Sequence, residues 1–166
     1  MPESQSDTDR HALLVEFRRL AAEATTLESL QRAIVGAIPQ RLSHYNWTGF
    51  YMLDTDDPRM LVLGPFAGAP TPHVRIPVTQ GICGAAVASG ETVVVDDVGS
   101  DPRYLACSIE TESEIVAPIH VHGKVVGEID IDSHQPAAFG GEDRSFLEET
   151  ARIVGAFIEA NSDSAS

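Results

Sequence analysis

The sequence has few cysteines and few basic residues for its 166-residue length. It contains two cysteines, Cys83 and Cys107, and 11 lysines and arginines against 25 aspartates and glutamates. Two cysteines do not make the disulfide framework of a small secreted domain, so the thiols are either buried apolar groups or redox-active. A formal net charge of −14 argues against nucleic acid or an anionic membrane surface as a partner.

Long apolar runs are also missing. No stretch approaches the roughly 20 apolar residues of a membrane span. The first residues, MPESQSDTDR, are polar and acidic, unlike a signal peptide. We therefore expect a cytoplasmic location. A chain of 166 residues with 43% hydrophobic residues is long enough and apolar enough for one globular domain. We place this domain at 10–160, between flexible tails at 1–9 and 161–166.

Hydrophobic periodicity predicts an α+β fold. Apolar residues recur at helical spacing over 11–24, 27–38 and 141–160, and a short helix of small residues covers 81–90. Strand-like segments fill the middle, and "EIVAPIHV" and "KVVGEIDID" flank His122-Gly123 as a hairpin. We expect about six mostly antiparallel strands, with the N- and C-terminal helices on one sheet face.

The two cysteines lie in different settings. Cys83 follows a glycine in "QGICGAA", where a helix begins, and a helix N-terminus can lower the pKa of a thiol. The alternative is a small packing residue among alanines. Cys107 lies in the irregular stretch "YLACSIETESEI", next to acids that hold a thiol protonated. It is either a loop anchor or a functional thiol, because loops often carry function.

Three acids are predicted to come together at one end of the hairpin. Asp130 and Asp132 alternate with isoleucines, so both carboxyl groups lie on one sheet face. In a tight hairpin about His122-Gly123, Glu114 on the preceding strand pairs near Asp130 or Asp132. Neighbouring carboxylates raise one another's pKa, and one of them can then act as a general acid. The alternative is a solvated strand end.

Aromatic and histidine residues suggest two further sites. Trp47 and Tyr51 share a strand face with Gly49 between them, which predicts a gap suited to an S-methyl group or a cation. Ordinary core packing is the alternative. Zinc ligands can be imagined among the histidines and cysteines, but no closely spaced ligand pair supports a metal site. The residues considered for zinc are His73, His120, His122, Cys83 and Cys107.

Several segments, in order, resemble the free methionine-(R)-sulfoxide reductase family, which is built on a GAF domain. They are "NWTGFYML", "LVLGPFAG", "VRIPVTQGICGAAVASGE", "YLACS", "SEIVAPI" and "GEIDIDS". The resemblance runs from about Asn46 to the last helix. "GICGAAVASGE" is typical of GAF domains in general, whereas "LACS" followed by "SEIV" and "DIDS" is more specific.

The resemblance implies a role for each candidate residue. Cys107 is the expected nucleophile and Cys83 the expected resolving thiol. The expected sulfoxide-binding acids are Glu114, Asp130 and Asp132, and the expected aromatic pocket residues are Trp47 and Tyr51. Many relatives have a third cysteine before "VRIP", where this chain has His73. That difference leaves Cys83 as the internal candidate to resolve Cys107.

The implied reaction reduces free L-methionine-(R)-S-oxide to methionine through a sulfenic acid and a disulfide. A thioredoxin-type reductant restores the thiols, and no metal, flavin or nicotinamide cofactor is needed. The amphipathic terminal helices offer a surface for a possible homodimer. The main alternative is a GAF small-molecule or redox sensor without turnover.

Overall fold

The structure, a computed structural model, describes residues 4–104 and 110–163. Two helices come first, α1 (Gln5–Glu23) and α2 (Leu27–Arg41). Strands β1 (Trp47–Leu53), β2 (Met60–Ala67) and β3 (Arg75–Pro77) precede α3 (Gly81–Ser89). Strands β4 (Val93–Val95), β5 (Ser113–Val121) and β6 (Lys124–Ser133) follow, and α4 (Gly141–Asp163) ends the described chain.

One sheet organises these elements. Its strand order is β3-β2-β1-β6-β5-β4, and every neighbouring pair is antiparallel. The larger core lies between one face of the sheet and α1, α2 and α4, with Phe17, Ile34, Ile131 and Val154 fully buried. The α+β fold with terminal helices on one face is therefore confirmed.

The opposite face carries a smaller core under α3. Ile82 and Cys83 of α3 pack with Tyr51 of β1 and Val116 of β5. Gly84 lets α3 come close to the chain before it, because a Cβ there would lie 2.8 Å from the Val78 carbonyl oxygen. The helix of small residues thus brings its N-terminal turn directly onto the sheet.

The central hairpin has the predicted turn. His122 and Gly123 both have positive φ, 51° and 77°, as a two-residue type I′ turn requires. The turn pairs Val121 with Lys124, and a one-residue register shift between Ile119 and His120 then places Glu114 opposite Asp132. The predicted pairing of Glu114 with an acid of β6 is confirmed.

Two local features differ from the sequence-based expectation. Helix α1 begins at Gln5, since Ser4 caps it and Asp7 closes a capping box. The strand expected over 92–98 is only Val93–Val95, because Asp97 then caps a short 3-10 turn. The domain limits at 10 and 160 stay a prediction. Within the described residues, no helix has both the length and the apolar character needed to cross a bilayer.

A buried polar group ties α1 to α4. The Arg10 guanidinium donates to Asp143 Oδ1 at 3.1 Å, and the Tyr45 hydroxyl donates to the same oxygen. Asp143 Oδ2 accepts from the backbone N–H of Gly140 at 2.9 Å. Burial, and then the Asp143 carboxylate, raise the pKa of Tyr45. The first helix is therefore attached to the domain by more than apolar contact.

Candidate active site

The three predicted acids meet on the sheet face that α3 covers. Glu114, Asp130 and Asp132 are 4%, 2% and 1% exposed, so they do not form a solvated strand end. Asp132 lies opposite Glu114 on one side and opposite Trp47 on the other, since β6 pairs with both β5 and β1. The hairpin register thus creates a buried acid trio of Glu114, Asp130 and Asp132.

Burial dominates the electrostatics of this trio. It raises the pKa of Asp130, and it raises the pKa of Asp132 well above its usual range, with the charge of Asp130 adding to the effect. Hydrogen bonding to Glu114 opposes both shifts. In residues 4–104 and 110–163, Asp130 and Asp132 form no ion pair with a basic side chain. Asp130 and Asp132 therefore release their protons at a higher pH than exposed acids do.

The Cys83 thiol joins the acid trio from the first turn of α3. Its S–H donates to Asp130 Oδ2 at 3.7 Å, and the residue is 5% exposed. Burial raises the pKa of the thiol well above its usual range, and the charges of Asp130, Glu128 and Glu114 add to the rise. The expected lowering of this pKa by the helix N-terminus is wrong, because desolvation and nearby acids outweigh the helix dipole.

The predicted nucleophile cannot be placed in the same way. Cys107 lies within residues 105–109, outside the described part of the chain. Its assignment as the attacking thiol stays a prediction. The nearest described residues are Tyr104 before this segment and Glu110 after it. From Glu110 the chain passes through Thr111 and enters β5 at Ser113, the residue before Glu114.

The two aromatic residues do lie beside the acids, but without the expected gap. The Trp47 indole covers Gly49, since a Cβ on Gly49 would lie 2.3 Å from the ring. Trp47 also stacks on Phe66, with ring centroids 5.6 Å apart. Tyr51 is buried at a centroid distance of 6.3 Å from Trp47, and its hydroxyl donates to the His73 carbonyl at 2.8 Å. The space that was predicted over Gly49 is filled by Trp47 itself.

Two cavities flank the acid trio. One of about 10 Å³ is bounded by Cys83, Glu114 and Asp130 together with Tyr51 and His73. The other, of about 90 Å³, lies beyond Asp132 and is lined by Trp47, Glu110 and His134. His73, which stands where many relatives have a cysteine, therefore borders the same cavity as Cys83.

The sequence reasoning missed one acid. Glu128 is fully buried on the same face of β6 as Asp130 and Asp132. Burial raises its pKa well above the usual range, and the charge of Asp130 acts in the same direction. The signal was present in the two-residue alternation of "GEIDID", in which Glu128 shares the face of the two aspartates. Glu128 extends the acid trio beneath Cys83.

Among the described residues, no group of possible metal ligands includes a histidine. Cys83, Glu114 and Asp130 each offer one ligand atom, and these atoms lie within 4.8 Å of one another. His120 instead borders a separate cleft with Gly90 and Arg144.

These features define a GAF domain with a thiol and buried acids on the sheet face opposite the terminal helices. The GAF domain family model matches residues 24–159. The chain is 44% identical to Protein YtsP of Bacillus subtilis, over 89% of this chain and 90% of that protein. It is 37% identical to the free methionine-R-sulfoxide reductase of Escherichia coli, over 81% of this chain and 79% of that protein.

The chain belongs to the free methionine-R-sulfoxide reductase family of GAF domains. A solved structure supports this assignment: the free methionine-R-sulfoxide reductase from Neisseria meningitidis in complex with its substrate. It is similar to this chain with a TM-score of 0.91 and 33% identity, over 99% of this chain and 96% of that chain. The expected family resemblance is thereby confirmed.

Proposed function

We propose that this protein is an L-methionine-(R)-S-oxide reductase that acts on the free amino acid. The observation that carries the proposal is the buried acid trio beside the Cys83 thiol, in a chain of this family. Glu114 and Asp132 lie opposite each other, and Asp130 accepts the Cys83 S–H. Buried acids such as Asp130 and Asp132, whose pKa values are raised by burial, suit a substrate whose oxygen must be protonated before it can leave.

The first step uses the acid trio as a general acid. A sulfoxide oxygen is a poor leaving group until it gains a proton, which a neutral carboxyl group of the trio donates. The Cys107 thiolate attacks the substrate sulfur and forms a bond to it. The protonated oxygen then moves from the substrate sulfur to the Cys107 sulfur as the S–O bond and the new S–S bond break, which leaves Cys107 as a sulfenic acid. Methionine is released as the two-electron-reduced product. The acids titrate together, so the proton belongs to the trio as a unit.

The second step resolves the sulfenic acid. The Cys83 sulfur attacks the Cys107 sulfur, a disulfide forms, and one water leaves. Because this chain has His73 at the third-cysteine position, Cys83 is the resolving thiol. A dithiol reductant of the thioredoxin class then reduces the disulfide by exchange and is itself oxidised.

Recognition of the free amino acid follows from the enclosed position of the acid trio. The anionic carboxylates that remain after one proton is shared suit the substrate ammonium group. Trp47 and Tyr51 provide apolar walls for the thioether part. A methionine sulfoxide residue inside a peptide has neither a free ammonium nor a free carboxylate, so we expect it to be excluded.

The test is a reductase assay with four substrates: the R and S epimers of methionine sulfoxide, each free and as the N-acetyl amide. We expect turnover of the free R epimer alone, with dithiothreitol or thioredoxin as reductant. Cys107→Ser should abolish methionine formation. Cys83→Ser should still form up to one methionine per chain, and should turn over only with a small thiol.

Two results would contradict the proposal. Full turnover by Cys107→Ser would remove that residue as the nucleophile. Binding of free methionine-(R)-sulfoxide by calorimetry without methionine as a product would instead favour a GAF sensor.

A further inference from the structure

Three buried side chains from three different elements meet beneath the first turn of α3. They are Cys83 of α3, Glu114 of β5 and Asp130 of β6, and one possible ligand atom of each lies within 4.8 Å of the other two. Each of these residues is at most 5% exposed. This thiol–acid cluster, formed by Cys83, Glu114 and Asp130, therefore offers one sulfur and two oxygen donors in a single buried place.

The spacing within the thiol–acid cluster fits one small metal ion. Bonds of about 2.3 Å from zinc to sulfur and about 2.1 Å from zinc to oxygen, at a tetrahedral angle, set the two donors about 3.6 Å apart. The Sγ atom of Cys83 lies 3.7 Å from Oδ2 of Asp130. These two donors are therefore already at the separation that a shared tetrahedral ion requires.

An oxygen of Asp130 gives a second and independent indication of a ligand. Asp130 is 2% exposed, and its Oδ1 atom accepts no hydrogen bond from any residue that the structure describes. No lysine, arginine or histidine within 4–104 and 110–163 forms an ion pair with this carboxyl group either. A buried carboxylate without such partners is costly, and a bound dication offsets that cost.

The cavity beside the thiol–acid cluster has the size of one ion. Its volume is about 10 Å³, and Cys83, Glu114 and Asp130 all border it. This is about the space that one water molecule needs. Its walls also include His73 and Gly81, which are partly exposed, so the cavity lies close to the protein surface.

We propose that Cys83, Glu114 and Asp130 bind one thiophilic divalent cation, Zn²⁺ or Cd²⁺, and that the bound cation blocks the reductase. A thiolate ligand selects such ions, whereas Mg²⁺ and Ca²⁺ take oxygen ligands. Three protein ligands leave the fourth tetrahedral position to water. Binding releases to solvent the S–H proton of Cys83 and any proton on the two carboxyl groups, because each ligand binds the ion in its deprotonated form.

The blocking effect rests on the proposed function. Glu114 and Asp130 belong to the acid trio, and a carboxylate bound to a metal ion has no proton to give to the sulfoxide oxygen. Cys83, held as a metal thiolate, is also withheld from the resolving step. The metal site itself does not depend on turnover, since its three ligands all lie in the described part of the chain.

The binding test uses Cd²⁺, because a Cd–thiolate bond has its own ultraviolet charge-transfer absorption. Cys107→Ser leaves Cys83 as the only thiol of the chain, so any such absorption in this variant comes from Cys83. Reduced wild type and Cys107→Ser are titrated with Cd²⁺, and calorimetry measures the stoichiometry and the affinity. We expect one Cd²⁺ per chain and thiolate absorption in both proteins. A large excess of Mg²⁺ should leave the absorption unchanged.

Ligand variants are compared in the Cys107→Ser background. Asp130→Asn and Glu114→Gln each remove one carboxylate with little change of shape, and Asp96→Asn removes an exposed carboxylate as the matched control. The two ligand variants should bind Cd²⁺ at least about 10-fold more weakly, and the control should bind it as before. Circular dichroism before each titration checks that the variant is folded.

The blocking test measures methionine formation by reduced wild type in a single turnover. No thiol is added, since a dithiol would itself take up the metal. Zn²⁺ at a concentration that saturates the site should stop methionine formation, and EDTA should restore it.

Two results overturn the metal site. One is the lack of thiolate absorption in Cys107→Ser, and the other is an equal Cd²⁺ affinity with and without Asp130→Asn and Glu114→Gln. Undiminished methionine formation with the site saturated overturns the blocking role. A lack of methionine from metal-free wild type overturns the proposed function instead, and the Cd²⁺ titrations still decide whether the site exists.

Discussion

Glu114 and Asp132 lie directly opposite each other on β5 and β6, and both side chains are buried. Two like charges in opposed positions of an antiparallel pair repel each other, and burial strengthens that repulsion. The pair therefore keeps at least one proton under conditions in which surface acids are ionised. The register of the hairpin therefore places a pair of acids that shares a proton close to the Cys83 thiol.

The first prediction concerns stability against pH. The folded pKa of Asp132 is raised, so the folded chain holds a proton that the unfolded chain releases above about pH 4. Stability contributed by this group is fully present below that pH and is lost as the pH rises toward the folded pKa. One such proton lowers the unfolding free energy by about 1.4 kcal/mol per pH unit across this window. Asp132→Asn should remove this contribution to the slope in urea unfolding as the pH rises above about 4.5.

The control for that slope is Glu112→Gln, which removes a carboxyl group from an exposed position two residues before Glu114. It should leave the dependence of unfolding on pH as in wild type. If the free energy of unfolding changes equally with pH in wild type and Asp132→Asn, Asp132 is ionised in the folded protein.

The second prediction concerns the chemical step. Asp130→Asn keeps the shape of a buried side chain that accepts from Cys83, but removes a carboxyl group from the acid trio. Loss of general acid catalysis should lower the single-turnover rate of methionine formation at least about 100-fold. The exposed Asp96→Asn is the matched control and should react as wild type does. An unchanged rate in Asp130→Asn would take Asp130 out of the acid role.

The third prediction concerns the indole of Trp47. Gly49→Ala places a Cβ where the ring now lies, at 2.3 Å, so Trp47 must move from its stack on Phe66. We expect a several-fold higher KM for free methionine-(R)-sulfoxide and a blue or red shift of the fluorescence of this single tryptophan. Gly36→Ala, in α2 with nothing within 4 Å of the new Cβ, should leave KM unchanged and add about 0.5–1 kcal/mol of stability. Equal KM values in the two variants would place Trp47 outside the substrate site.

The fourth prediction concerns the attachment of α1. Arg10→Ala leaves the largely buried Asp143 without its guanidinium partner and should cost about 3–5 kcal/mol of unfolding free energy. Arg32→Ala breaks an exposed pair with Glu28 and should cost less than about 1 kcal/mol. Chemical denaturation of both variants measures the difference. Similar small losses would show that α1 is held mainly by its apolar face.

Sequence pattern was sufficient wherever local geometry decides the outcome. The turn at His122-Gly123 joins β5 and β6 as an antiparallel hairpin, and that hairpin followed from loop length and two-residue alternation. The one-residue register shift between Ile119 and His120, which puts Glu114 opposite Asp132, was not visible in the sequence. The helix at 81–90 likewise followed from its small residues and the left-handed Gly90 at its end.

Properties that depend on distant parts of the chain could not be read in this way. The pKa of Cys83 is raised because β6 lies against α3, which no pattern around "GICG" reveals. Trp47 covers Gly49 because of its side-chain conformation and its stack on Phe66 of the neighbouring strand. Glu128 was overlooked although it continues the alternation of Asp130 and Asp132, since a buried strand centre is an unusual place for an acid.

The buried acids also alter how this molecule behaves as an ion. The formal value of −14 counts every carboxyl group as charged, whereas burial raises the pKa values of Glu128 and Asp132 well above those of exposed acids. The native chain should therefore migrate in an electric field at neutral pH as a less anionic particle than its composition states. Unfolding should release the protons that these groups hold, so denaturing the protein in a weakly buffered solution should lower the pH of that solution.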